Sequence, residues 1–246
     1  MSRLTGALEQ ASINLDFSHL VSSPHFFARV IKKLFYVFCK ALFKIYCPMK
    51  VEGADRLPST PFIFCSNHCS HMDSVVLMIA SGLPFSRFVM LAAKDYFFEN
   101  TKSKSSFNLL DLVPISRKST PKALIYNILL CKNLTVEKNR NLIIYPEGTR
   151  SLNGEMGLFK RGPAMFSAEL NLPIVPVHIH GTYKSLPKGR VFPKPKRITV
   201  TIGEPIDPLH FKAKLIEEKK NPKELYSSLT GELNRRIQLL KLSQPL

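Results

Sequence analysis

The sequence predicts an α/β fold, with a mixed, largely parallel sheet covered by helices and preceded by an N-terminal amphipathic helical segment. Beyond Pro48, short apolar runs alternate with helical stretches, which is the pattern of strands separated by helices. Before Pro48 the chain is basic and amphipathic instead. We therefore expect two units, a helical segment at 1–48 and an α/β domain at 49–246.

Six apolar runs are predicted as strands, because each is short and several are followed by turn residues. They lie at 61–66, 88–92, 112–115, 141–145, 173–179 and 197–203. Helical patterns are found at 24–47, 73–80, 121–137, 163–170 and 222–242. The stretch from 184 to 196 is rich in Pro, Gly and cations, and it predicts an exposed basic loop.

The net charge indicates which kinds of partner the protein could bind, and the cysteine content indicates the redox state of its compartment. Lys and Arg number 35 and Asp and Glu 18, so the formal net charge is +17. This excess indicates nucleic acid, an acidic membrane face or a phosphorylated substrate as a partner, or else a generally basic surface. The five cysteines are an odd number, and three lie in apolar runs, which indicates packing residues in a reducing compartment. We expect no cleavable signal peptide and no transmembrane span.

The segment from Pro24 to Cys47 predicts a basic amphipathic helix. At about 100° per residue, its cations fall on one side and a broad aromatic and aliphatic face on the other. Such a helix suits an anionic membrane surface, so 1–48 is expected to associate with a membrane. The alternative is that the apolar face packs on the protein's own core. The residues expected to contact the membrane are Phe27, Arg29, Lys33, Phe38, Lys40 and Lys44.

The polar stretch at 67–73, Asn-His-Cys-Ser-His-Met-Asp, follows one predicted strand and leads into a helix. His68 therefore lies on a strand-to-helix turn, where open α/β sheets expose their working groups. A turn can fold the Asp73 carboxylate back onto the His68 ring, fixing its tautomer and stabilising the imidazolium. The pair is a candidate general base with its orienting carboxylate.

A second polar stretch, Tyr-Pro-Glu-Gly-Thr-Arg-Ser at 145–151, follows another predicted strand. Gly148 permits positive φ or a close backbone approach, and Arg150 can bind phosphate through two hydrogen bonds. A turn with a local ion pair is the alternative. Because parallel strands expose their carboxyl ends along one edge, this turn and the His68 turn are expected to face one crevice. Cations at 116–120 and 160–161 are further candidates for binding phosphate.

Four motifs occur in order: Asn-His-x-Ser-x-x-Asp at 67–73, Ile-x-Arg at 115–117, Tyr-Pro-Glu-Gly-Thr-Arg-Ser at 145–151 and Leu-Pro-Ile-Val-Pro-Val at 172–177. The combination resembles the glycerolipid acyltransferase family, whose best-known members are 1-acylglycerol-3-phosphate O-acyltransferases (lysophosphatidic acid acyltransferases). The resemblance covers about residues 50–205. A glycine that is common before the second motif is absent, and Tyr145 and His71 replace residues more usual in the family.

The resemblance implies that His68 is the catalytic base and Asp73 its partner. His68 would deprotonate the free hydroxyl of a lysophosphatidic acid, which would attack an acyl thioester directly, without a cofactor. The donor would be acyl-CoA or acyl carrier protein, and the enzyme would lie on the cytoplasmic face of a membrane. The residues expected to bind substrate are Arg117, Glu147, Gly148, Thr149, Arg150 and Lys160.

Three alternatives stay open at this point. The acceptor could be another lysophospholipid or lipid alcohol. The chain could instead be a non-catalytic basic module for membranes or nucleic acid, although it shows no usual nucleic-acid motif and we expect no nucleic-acid partner. A zinc site could form from the side chains clustered at 65–73, but no paired Cys-x-x-Cys or His-Glu-x-x-His accompanies them, so no metal is expected.

Overall fold

The computed structural model describes residues 26–93, 112–115, 120–218 and 221–243. Within these ranges, the strands are β1 Met49–Glu52, β2 Ile63–Ser66, β3 Phe88–Ala93, β4 Leu112–Ile115, β5 Asn141–Ile143, β6 Ile174–His180 and β7 Ile198–Ile202. The α-helices are α1 Phe26–Ala41, α2 Asp73–Ala80, α3 Pro121–Lys132, α4 Gly162–Leu170, α5 Thr182–Ser185, α6 Pro208–Glu217 and α7 Pro222–Leu242. Single π-helical turns at Leu42–Tyr46 and Asn133–Glu137 extend α1 and α3.

The strands form one sheet in the order β1-β7-β6-β2-β5-β3-β4. Neighbouring strands are parallel, except that β6 and β7 are antiparallel. Strands β1 and β7 therefore run opposite to the other five. The prediction of a mixed, largely parallel sheet is confirmed.

Strand β2 lies at the centre of the sheet, between β6 and β5. Its register pairs Ser66 with Val177 of β6 and Ile63 with Leu142 of β5. Because β2 and β5 are parallel neighbours, they end at the same edge of the sheet. The two polar turns at 67–73 and 145–151 start from this edge, so the sheet topology itself brings them together.

Alternate side chains of the strands enter two separate cores, one on each face of the sheet. On β2, Ile63 and Cys65 point into the core that α3, α4 and α7 cover, with α6 packed against it. The neighbouring Phe64 points into the core that α1 and α2 cover. Both faces of the sheet are therefore buried, as mainly parallel sheets require.

Helix α1 has two apolar sides rather than the single apolar face that the sequence predicts. Cys39 and Phe43 are buried in the core beside α2, and Phe35 and Tyr36 contact the ring of Phe85 edge to face. The helix therefore packs on the sheet and still exposes a second row of apolar side chains, because its apolar residues cover more than one face. The exposed residues of this row and of the following turn are Val30, Ile31, Leu34, Val37, Phe38 and Ile45.

The expected membrane contacts lie on the exposed surface where the structure describes them. The side chains of Arg29, Lys33, Lys40 and Lys44 are exposed together with Phe38. The Phe27 side chain, like residues 1–25, lies outside the described residues. Among the helices that the structure describes, none is both long and apolar enough to cross a membrane.

Three elements were not predicted from the sequence: β1, α5 and α6. Strand β1 is only four residues long and none of its side chains is fully buried, so it lacks the apolar run of a central strand. Helix α6 begins where the Asp207 side chain accepts the N–H of Leu209 and Pro208 occupies the first turn. All five cysteines are buried and free, which agrees with their prediction as packing residues.

Candidate active site

The turn between β2 and α2 folds around the carboxylate of Asp73. This side chain is buried at the first residue of α2, and its Oδ2 lies 2.9 Å from Nδ1 of His68. The same oxygen accepts the backbone N–H groups of Cys69 and Ser70, each at 2.8 Å. The contact between His68 and Asp73 that the sequence predicts is therefore present, and the backbone amides hold the carboxylate in place.

This contact determines which nitrogen of His68 can accept a proton. A carboxylate only accepts hydrogen bonds, so Nδ1 carries the hydrogen in the neutral ring and Nε2 carries the lone pair. The His68 side chain is 18% exposed, which leaves part of the ring open to a substrate. A proton taken at Nε2 would create an imidazolium against the buried negative charge of Asp73.

Asn67 attaches the start of the turn to the neighbouring strand β6. Its side-chain amide donates to the carbonyl of Ile179 at 2.9 Å and accepts the N–H of Ile179 at 2.8 Å. These two bonds continue the β2–β6 pairing beyond the end of β2, with a side chain in place of a backbone. The sheet therefore fixes the backbone position of the residue directly before His68.

Glu147 connects the second polar turn to the backbone of His68. Its Oε1 accepts the N–H of His68 and its Oε2 accepts the N–H of Gly157, both at 2.9 Å. In addition, the Ser151 N–H donates to the carbonyl of His68 at 2.7 Å. Burial raises the pKa of Glu147, although both backbone hydrogen bonds oppose the rise. Hydrogen bonds therefore join the two turns, and the expectation that Glu147 binds substrate stays a prediction.

Tyr145 forms one wall of the His68 site. Its ring stacks on the imidazole with centroids 3.7 Å apart and planes inclined by 9°. Its hydroxyl lies 2.6 Å from Oγ of Ser74, on the first turn of α2. Burial raises the pKa of Tyr145 well above its ordinary value, so the phenol is neutral. Sequence reasoning treated this position only as a mild replacement; its place between a strand end and the polar turn is the signal that could have found it.

Of the remaining predicted substrate residues, those that the structure describes lie in the second polar turn and at Lys160, beside Gly148. This glycine has φ +69°, a conformation that favours glycine, and the Nζ of Lys160 would lie 3.0 Å from a Cβ at this position. Thr149 and Lys160 are exposed, and Arg150 is half-buried. Arg117 lies outside the described residues. The assignment of these residues to an acceptor phosphate stays a prediction.

The zinc alternative concerns the side chains at 65–73; among the described residues, no three His, Cys, Asp or Glu side chains are placed together to hold a metal ion. Burial raises the pKa of Cys65 strongly and that of Cys69 to about 12, so both thiols are protonated at neutral pH. His71 is exposed in part, and desolvation of the rest of its ring, with Arg150 and His68 nearby, lowers its pKa to about 4.

Comparison with known proteins identifies the family of this chain. The family described as "Acyltransferase" matches residues 48–180, more than half of the chain and both polar turns. The chain belongs to this acyltransferase family. The match begins at Pro48 and ends with the last residue of β6.

Several curated relatives are named 1-acyl-sn-glycerol-3-phosphate acyltransferases. A 1-acyl-sn-glycerol-3-phosphate acyltransferase of Limnanthes douglasii is 31% identical over 160 residues, covering 65% of this chain and 55% of that protein. The mouse 1-acyl-sn-glycerol-3-phosphate acyltransferase alpha is 30% identical over 179 residues, covering 72% of this chain and 60% of that protein. The chloroplastic enzyme BAT2 of Brassica napus is 30% identical over 141 residues, covering 56% and 39%. The chain thus spans about two fifths to three fifths of these acyltransferases.

The fold of the family is also known from a solved structure. The crystal structure of the 1-acyl-sn-glycerophosphate (LPA) acyltransferase PlsC from Thermotoga maritima matches with a TM-score of 0.62, covering 98% of this chain and 90% of that one. The sequences are 24% identical, so this likeness concerns the fold.

Proposed function

We propose that this acyltransferase moves a fatty acyl group from a thioester to the free hydroxyl of lysophosphatidic acid, giving phosphatidic acid. The observation that carries the proposal is the hydrogen bond between His68 and the buried Asp73, at the sheet edge that the second polar turn also faces. This pair provides a base with a defined tautomer. The names of the curated relatives support the choice of acceptor.

The reaction needs no acyl-enzyme intermediate. Nε2 of His68 removes the proton of the acceptor hydroxyl while its oxygen attacks the thioester carbonyl carbon. The new carbon–oxygen bond forms, the tetrahedral intermediate collapses with loss of the carbon–sulfur bond, and the imidazolium returns its proton to the leaving thiolate. The buried Asp73 stabilises the imidazolium between the two proton transfers.

The acceptor phosphate is assigned to the cations around Gly148. Arg150 lies in the turn that Glu147 joins to His68, and the Lys160 N–H donates to the carbonyl of Pro146 in the same turn at 2.8 Å. A guanidinium and an ammonium together suit a phosphate monoester. We assign Arg117 and Thr149 to the same site from the family motif. The acyl donor is acyl-CoA or acyl carrier protein, since both present a phosphate-bearing arm to a basic protein.

We also propose that the protein is a monotopic or peripheral membrane protein on the cytoplasmic face. The support is the exposed apolar row of α1, where Leu34 and Phe38 are 65% and 60% exposed and Ile45, on the following turn, is 78% exposed. Exposed Lys33, Lys40 and other cations border this row, as in helices that lie in an anionic interface.

The test is acyl transfer by the wild type and by His68→Ala, with lysophosphatidic acid in anionic vesicles and oleoyl-CoA as donor. Thiol release and phosphatidic acid formation are followed in parallel. Loss of both in a folded His68→Ala variant is expected, because no other described side chain occupies the position of the base. His210→Ala, at an exposed histidine of α6, is the matched control and should keep the activity.

The outcome separates the acceptor from the mechanism. A wild type that releases no thiol with lysophosphatidic acid but does so with a lysophospholipid of larger headgroup would overturn the acceptor. An active His68→Ala variant would overturn the mechanism.

A further inference from the structure

The loop at 187–196, between α5 and β7, combines an apolar tip with exposed cations; we call it the basic loop. Val191 and Phe192 are each 80% exposed. The cations on either side of them, all exposed, are Lys188, Arg190, Lys194 and Lys196. The basic loop contains no acidic residue. The sequence predicted its charge and exposure, but neither acyl transfer nor packing explains why its tip is apolar.

The base of the basic loop is anchored while its tip is not. The Lys194 N–H donates to the carbonyl of Ser185 at 2.9 Å, and the Ser185 hydroxyl donates to the carbonyl of Lys194 at 2.7 Å. The Arg190 N–H donates to the carbonyl of Pro187 at 3.2 Å and closes a turn just before the tip. Val191 and Phe192 are thus presented from a fixed base.

The same base contacts both α1 and the His68 turn. The hydroxyl of Tyr46, at the end of the turn that extends α1, donates to the carbonyl of Pro193 at 3.2 Å. The hydroxyl of Ser70 donates to the carbonyl of Leu186 at 2.6 Å, immediately before the basic loop. The apolar tip therefore belongs to the same part of the surface as the exposed Ile45, and the turn that carries the candidate base is attached beside it.

We propose that the basic loop is a second membrane-insertion element. Val191 and Phe192 enter the acyl boundary of an anionic bilayer, and the cations beside them lie among the lipid phosphates. This inference rests on the proposed membrane association of α1 and extends it. A bilayer accounts for the apolar tip, for the flanking charges and for their continuity with the apolar row of α1, whereas nucleic acid would leave that row uncovered.

Two attachments to the bilayer would hold the His68 turn at the interface. A lysophospholipid acceptor carries its free hydroxyl at headgroup depth. With α1 and the basic loop both inserted, the acceptor needs to leave the bilayer by only a short distance to reach His68.

The chain contains no tryptophan, so a single introduced tryptophan reports on its own position. We would compare Phe192→Trp, Phe38→Trp on α1 and Ile216→Trp on α6, which packs against the opposite core of the sheet. All three positions are exposed, at 80%, 60% and 76%. Each full-length variant is mixed with vesicles of phosphatidylglycerol and phosphatidylcholine, with phosphatidylcholine vesicles alone, and with a single-stranded oligonucleotide. The readouts are the emission maximum and quenching by lipids brominated in their acyl chains.

The proposal expects a blue shift and quenching at positions 192 and 38 with the anionic vesicles, and neither at position 216. A response at 38 without one at 192 would overturn the role of the basic loop and leave the membrane association standing. No response at either position would overturn both. A response at 192 to the oligonucleotide and not to vesicles would make the loop a nucleic-acid contact and overturn the proposal.

A second variant measures the contribution of the tip to affinity. Phe192→Asp should lower the affinity for anionic vesicles about tenfold or more, the loss expected from one large apolar side chain that no longer enters the bilayer. Ile216→Asp is the control, and an equal loss in both variants would overturn the proposal.

Discussion

Two regions of the molecule are built in opposite ways. One is the junction of the candidate active site, formed by residues 67–74 and 145–157, and the other is the surface formed by α1 and the basic loop. In the junction, buried Asp73, Asn67 and Glu147 each bind backbone groups at 2.8–2.9 Å. On the surface, the apolar and basic side chains extend into solvent from anchored backbone. Acid–base chemistry depends on distances of a few tenths of an ångström, whereas binding to a fluid bilayer depends on the sum of apolar area and charge. Single substitutions should therefore be severe in the junction and mild on the surface.

The largest effect is expected for Asp73→Asn. Because Oδ2 of Asp73 contacts both the two backbone N–H groups and Nδ1 of His68, the asparagine has two options. With its oxygen at that position it keeps the backbone bonds but is neutral and no longer stabilises the imidazolium, and with its NH2 there it loses the backbone bonds and favours the wrong tautomer of His68. We expect kcat to fall by roughly 10²–10⁴. Steady-state acyl transfer at saturating donor measures it, with Asp55→Asn at an exposed aspartate as the control. A fall of less than about threefold would contradict the role of Asp73 in orienting His68.

Glu147→Gln should come next, through stability as well as rate. Glutamine has one acceptor oxygen, so it cannot accept both the His68 and the Gly157 N–H, and one of these two part-buried amides would lose its partner. We expect a loss of about 1–3 kcal/mol in the free energy of unfolding, with a fall in kcat at unchanged KM for the acceptor. Denaturant unfolding and kinetics measure the two effects, and Glu217→Gln on α6 is the control. A rise in the KM for the acceptor, with kcat and stability unchanged, would mean that Glu147 binds the substrate.

The pH dependence of the unfolding free energy, compared between the wild type and Glu147→Gln, tests the environment of Glu147. Burial raises the pKa of Glu147 in the folded state, so folding favours its protonated form. Its contribution to stability is present below the pKa of the unfolded chain and is lost as pH rises through the folded value. The difference in unfolding free energy between wild type and Glu147→Gln should therefore be larger at pH 4 than at pH 8. The opposite trend would mean that the backbone hydrogen bonds outweigh burial.

Tyr145 separates stacking from hydrogen bonding. Tyr145→Phe keeps the ring against His68 and removes only the contact with Ser74, so activity should stay within about threefold of wild type. Tyr145→Leu removes the flat surface that holds the imidazole plane, and kcat should fall about tenfold. Both are measured by acyl transfer with unfolding curves alongside. Equal effects of the two variants would assign the importance of Tyr145 to its hydroxyl.

The smallest structural effect is expected on the surface, for Phe38→Ser. Because Phe38 is 60% exposed, the free energy of unfolding should change by less than about 0.5 kcal/mol. Flotation with anionic vesicles should weaken severalfold, since apolar area is removed from the exposed row of α1 that is proposed to contact the membrane. Val136→Ser, at a residue that is 58% exposed on the turn after α3, should leave flotation unchanged. A strong destabilisation by Phe38→Ser would mean that this row packs on protein.

Most strands and helices could be predicted from the sequence, because apolar runs and helix starts are visible within a few neighbouring residues. The run before Asn67 and the helix from Asp73 to Ala80 are recognisable from apolar residues and an acidic first turn, and the structure places them there. Strand β1 and helix α6 were missed because their residues pack through few buried side chains. The orientation of α1 was only partly predicted, because periodicity shows how much of a helix is apolar and not which apolar side meets the sheet.

The candidate site was predictable as far as parallel strands place their ends together. The contact between His68 and Asp73 spans five residues, so the sequence alone could suggest it. The contact of Glu147 with Gly157 and that of Asn67 with Ile179 depend on how the loops fold back in space, which no local pattern contains. For that reason the backbone contacts of Glu147 could not be predicted from the sequence.

Because Asn67 forms two hydrogen bonds with the backbone of Ile179, hydrogen exchange at this one sheet amide depends on the turn that carries the candidate base. The Ile179 N–H is held by a side chain of the turn, whereas the amides of central strands are held by neighbouring backbone. Exchange of this hydrogen with deuterium therefore requires the turn to release, and the rest of the sheet can stay closed. Its protection factor measures how often the turn that carries the candidate base opens, and acceptor binding should slow its exchange while leaving the Val177 amide unaffected.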